Sequence, residues 1–134
     1  MDDEVKDWLS KGDSDLRVVE HEIKLPEDEI VKDAVCFHCQ QAVEKHLKAF
    51  LIYHKIHYKK THNIEFLMEE CGKIDGAFSE VDVKNLTYFG VMIRYPEETY
   101  VPDMSEVQFY VDLAKRIKQL VLSKISPQQE DSRM

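Results

Sequence analysis

Residues 36–51 read CFHCQQAVEKHLKAFL, with cysteines at 36 and 39, a histidine between them and another at 46. Thiolates and imidazoles ligate zinc, and a Cys-x-x-Cys pair can cycle between dithiol and disulfide. The spacing speaks against both chemistries. His38 lies about 100° from Cys39 around a helical wheel, so the three side chains do not converge. No second Cys-x-x-Cys follows at zinc-ribbon spacing, and a redox pair would open a helix after a strand rather than sit inside one. Cys36 and Cys39 share the packed face of a helix, where free cysteine behaves as a small hydrophobe. His46 lies in the middle of the same apolar sector and reads as a hydrogen-bonded core histidine. The loop HKIHYKKTH carries His54, His57 and His62 at no ligand spacing, and reads as a solvated basic loop. No metal and no cofactor are expected.

The elements that position these residues are helices. The chain has 134 residues, enough for one domain with a real core. Four glycines and four prolines are too few for a sandwich or barrel. The net charge of −8 gives no general pull toward nucleic acid, so any phosphate contact needs a local basic patch. No run reaches the ~20 apolar residues of a membrane span, and the N-terminus lacks a signal-peptide core, so a cytoplasmic location is expected.

Val5, Trp8, Leu9, Leu16, Val19 and Ile23 form a helical stripe with Gly12 on it, ending near Leu25–Pro26. A second helix is expected from a cap at Asp28 to about His54. Its apolar sector runs from Val35 to Tyr53, and Gln41, Glu44, Lys45 and Lys48 form a charged side. Phe37 and Leu51 fall on that charged side and predict a second contact surface, a dimer interface. A third helix carries Ile64, Leu67, Met68, Cys71 and Ile74, capped by Thr61 or Asn63. A fourth is expected from Ser79, burying Val81, Leu86, Phe89, Met92 and Ile93. The segment RYPEETYVPDM follows, and a last helix capped by Ser105 carries Val107, Tyr110, Ala114, Ile117 and Val121. The expectation is an all-α, antiparallel up-and-down bundle of about five helices over residues 1–126, with a polar tail at 127–134.

The segments DWLSKGDSDLRVVEHEI, DAVCFHCQQAVEKHLKAFLIYHKI, KTHNIEFLMEEC and IRYPEE together resemble a stand-alone prokaryotic HEPN domain. The resemblance implies a helical bundle, a homodimer and a groove between or beside the subunits. Many members pair with a minimal nucleotidyltransferase in toxin–antitoxin-like complexes, and some cut RNA. The family's RNase motif joins an arginine to a histidine a few residues on. Arg94 matches the arginine, but Thr99, Tyr100 and Val101 occupy the histidine's range. Metal-independent RNA cleavage needs a group of near-neutral pKa to move the proton of the 2′-hydroxyl. The resemblance therefore implies a non-catalytic module that binds nucleotide, RNA or a nucleotidyltransferase partner. Its binding surface would be Arg94, Tyr95 and Tyr100, with Lys45 or Lys48 supplying charge for phosphate. The alternative is an RNase that uses Arg94 with a displaced histidine, His62.

Overall fold

The computed structural model describes residues 2–91, 96–98 and 100–125. They form four α-helices: α1 (Asp3–Glu22), α2 (Lys32–Tyr53), α3 (Ile64–Ile74) and α4 (Met104–Ile125), with short 3-10 segments between them and no strand among the described residues. Asp2 caps α1 by accepting the Val5 N–H at 3.1 Å, and Asn63 caps α3 by accepting the Phe66 N–H at 2.9 Å. Asp103, not Ser105, caps α4: its carboxylate accepts the Glu106 N–H and the Ser105 hydroxyl, each at 2.9 Å.

Helix α1 stops at Glu22 and α2 begins only at Lys32, so Asp28 is no helix cap; it sits in the 3-10 segment Glu27–Glu29. Pro26 is extended there, and the Val31 N–H is taken by the Glu22 carboxylate at 3.0 Å.

The expected fourth α-helix does not form. Its place is taken by 3-10 segments at Gly76–Glu80 and Leu86–Gly90. Asp82 captures the Lys84 N–H at 2.8 Å, and Lys84 adopts a left-handed φ of 47°. A side-chain acceptor competing for the backbone and one left-handed residue together interrupt a helical ladder. Val81, Leu86 and Phe89 are nevertheless buried as the spacing demands. Met92 and Ile93 lie outside the described residues, as do Ser126 and the tail at 127–134.

Pairings across the bundle fix its directions. Asp2 meets Lys55, Asp13 meets His46 and Glu22 meets Val31, so α1 runs antiparallel to α2. His62 then lies beside Gln40, Cys71 beside Leu47 and Phe78 against Phe50, so α3 runs with α2. Gly90 returns to Gln40. Lys115 pairs with Glu20 and Lys118 with Asp13, which sets α4 antiparallel to α1. The all-helical bundle is as expected, but α2, α3 and α4 run the same way, opposite to α1, and the return strokes after α2 are made by the lysine loop and the 3-10 segments rather than by antiparallel helices.

Candidate functional site

Helix α2 is surrounded by the rest of the chain, and this reverses the reading of its charged side. Gln40, Glu44 and Lys48, one turn apart, are 0%, 3% and 1% exposed. Leu51, expected at a dimer interface, is 1% exposed within the protomer and cannot cover a partner. Phe37 is half-buried, its ring edge-on to His38 at 5.1 Å.

The Glu44 carboxylate is the hub of the buried stripe. It accepts Lys48 Nζ at 2.8 Å and Gln40 Nε2 at 3.2 Å, and lies 3.0 Å from His62 Nδ1. Lys48 also donates to the Lys59 carbonyl at 2.9 Å, and Gln40 to the His62 carbonyl at 3.1 Å. Lys48 rests over the Trp8 ring at 5.4 Å. The stripe therefore ties the lysine loop to α2. It leaves the His62 side chain 70% exposed, with one ring nitrogen held by a carboxylate that is itself 5% exposed. Carboxylate contact at one nitrogen fixes the orientation of an imidazole and frees the other.

Lys45 faces a different neighbour. Its Nζ donates to Asp15 at 2.7 Å, and His38 Nδ1 lies 2.8 Å from the other oxygen of the same carboxylate. Further along this seam, His46 is fully buried with Nε2 3.1 Å from Asp13. A Cβ on Gly12 would stand 2.6 Å from that nitrogen, so glycine is what lets α1 lie over the imidazole. Burial lowers the His46 pKa, against an upward pull from Asp13. Cys36 and Cys39 are both 0% exposed and free. Burial pushes the thiols of Cys36 and Cys71 up to about 12 and raises that of Cys39 as well.

Tyr100 lies at the edge of a cleft of about 480 Å³ walled by Tyr88, Phe89 and Tyr110, with Glu65 and Glu106 beside them. Its N–H donates to the Tyr88 hydroxyl at 3.0 Å, and its own hydroxyl donates to Glu106. That second bond pushes the Tyr100 phenol up to about 12, so it stays protonated at neutral pH. Arg94 and Tyr95 lie outside the described residues, as does Thr99. The structure thus separates the expected binding residues: Lys48 is sealed in the core, Lys45 is engaged by Asp15, and Tyr100 stands in an acidic aromatic cleft. Glu44, Glu65 and Glu106 were not singled out from the sequence as site residues. The repeat of polar residues at 40, 44 and 48 was the available signal for the hub.

The HEPN domain family matches residues 5–125, nearly the whole chain. The chain belongs to the HEPN domain family. No match was found among curated proteins or among solved structures. The helical bundle is the fold this family uses, and a nucleotide-related function follows at the family level. HEPN domains commonly dimerise. No described helix of this HEPN domain is long and apolar enough to cross a membrane.

Proposed function

We propose that this HEPN protein is a non-catalytic interaction module. In this reading it is a cytoplasmic homodimer that binds nucleotide or a minimal nucleotidyltransferase partner, in a pair of the toxin–antitoxin type. The observation that carries the reading is the residue set where the RNase histidine belongs. Thr99 and Val101 cannot move a proton, and Tyr100 is kept protonated by Glu106. Arg94 then binds rather than catalyses, offering a guanidinium fork to a phosphate or to a partner's carboxylate. With Leu51 buried, Phe37 remains as the interface residue of α2.

A second reading has its own support. The Glu44–His62 contact presents an oriented, exposed imidazole on a lysine-rich loop, as a general base requires. The two are separated by incubating the protein with structured RNA beside His62→Ala and Arg94→Ala variants, and by titrating nucleotide and a minimal nucleotidyltransferase calorimetrically. The expected result is no cleavage and Arg94-dependent binding. Cleavage that both substitutions abolish would overturn the non-catalytic reading and establish the RNase.

A further inference from the structure

We propose that the cleft beside Tyr100 is a binding site for an organic cation, a guanidinium or alkylammonium group carried on an apolar stem. The walls are aromatic, and their rings meet edge to face. Tyr88 and Tyr100 cross at 83° with centroids 6.2 Å apart, Tyr88 and Phe89 at 88° and 5.0 Å, and Phe89 and Tyr110 at 64° and 5.5 Å. All four rings line the cleft, and an aromatic face attracts a cation through the ring quadrupole. Tyr110, 3% exposed, forms the deep wall and is held there by the Asn85 N–H at 3.2 Å from its hydroxyl.

Among the described residues, the charge on the rim has one sign. Glu65 and Glu106 line the cleft, and no lysine, arginine or histidine does so among the described residues. Both carboxylates are fixed in place. Glu65 accepts the Thr87 hydroxyl at 2.5 Å, and Glu106 accepts the Tyr100 hydroxyl and the Asp103 N–H. These are neutral donors, so the negative charge of each carboxylate is not cancelled. A phosphate would be repelled by these two carboxylates. A hard metal ion would want a shell of about six oxygens, which walls of aromatic carbon do not supply. A guanidinium or ammonium on a short alkyl chain satisfies both parts, its charge between the carboxylates and its stem against the rings. The volume of about 480 Å³ falls within the ~300–1,000 Å³ of small-ligand sites.

The same chemistry comes from a free polyamine or guanidine and from an arginine or lysine side chain of another polypeptide, and the test separates them. The probes are agmatine, spermidine, an arginine-containing peptide, and AMP and GMP as nucleobase controls. Binding is followed by calorimetry and by amide and tyrosine ring shifts in NMR spectra of the intact protein. The expected result is binding of agmatine or of the peptide, with shifts at Tyr88, Tyr100 and Tyr110. Glu65→Gln should weaken that binding by about tenfold or more and reduce its salt dependence. Glu65 is exposed at the start of α3, so this variant folds. Tyr88→Leu should weaken it through the ring face. Peptide binding without agmatine binding assigns the cation to a polypeptide. The proposal is overturned if no cation binds at low millimolar concentration, if Glu65→Gln leaves affinity unchanged, or if AMP or GMP occupies the cleft in place of the cations. These outcomes are independent of the RNA and Arg94 experiments, either of which can fail alone.

Discussion

Replacing Glu44 by Leu and Lys48 by Met, singly and together, tests whether the buried stripe of α2 is one coupled unit. Glu44→Leu removes the acceptor of Lys48, Gln40 and His62 in one step. It leaves a lysine whose side chain is 2% exposed with only the Lys59 carbonyl and the Trp8 ring as partners. Breaking a buried pair from one side costs about 3–5 kcal/mol, and the two remaining partners place this case near 3. Lys48→Met strands the carboxylate less severely, because Gln40 and His62 still reach it, and should cost about 2 kcal/mol. In the double variant no charge is stranded, and the remaining loss is the tie to the loop, again about 2 kcal/mol. The pair should therefore show about 3 kcal/mol of favourable coupling, well above the ~0.5 kcal/mol within which independent sites add. Urea melts of the four proteins measure it, and amide exchange at Lys59–His62 should accelerate in every variant. Additivity within that margin, or a Glu44→Leu cost below about 1 kcal/mol, would show that water screens the pair and that the burial argument fails.

Two further outcomes follow from the ionisable groups of the core. The His46 pKa lies below its ordinary 6.5, so the unfolded chain binds the extra proton first as pH falls. Stability should be fully present above about pH 6.5 and decline below it, and thermal melts between about pH 7.5 and 5.5 should show a shallower decline for His46→Gln; an unchanged slope would refute the assignment. The three cysteines should resist a thiol reagent in the folded protein at about pH 8 and all react once urea is added. Fast labelling of the folded protein would contradict their place in the core.

Much of the bundle was legible because local pattern suffices for it. The apolar spacing of Val5 to Val19 and of Val107 to Val121 marks helices whose buried faces are those residues. The geometry of CFHC on one helix was enough to place both cysteines in the core and to turn His38 away, and its partner proved to be Asp15. The absence of histidine at 99–101 is a fact of sequence alone. The break at Asp82–Lys84 was not legible, because a side chain capturing a backbone N–H competes with the ladder only over a few residues, while the apolar spacing continues through it.

The wheel for α2 ranks its faces by polarity but carries no information on how many neighbours the helix has. α1, α3, α4 and the lysine loop together cover it, and Gln40, Glu44, Lys48 and Leu51 went inside with the rest. Sequence by itself determined the helical class, the family and the side chains that enter the core on the apolar stripes. Tertiary structure decided that a charged stripe would be buried, that it would brace the loop holding His62, and that Tyr88, Phe89, Tyr100 and Tyr110 would meet Glu65 and Glu106 around one cleft. The physical reason is range. Helix formation and amphipathicity depend on residues three and four apart. Burial of a charge and closure of a cleft depend on groups brought together from across the chain.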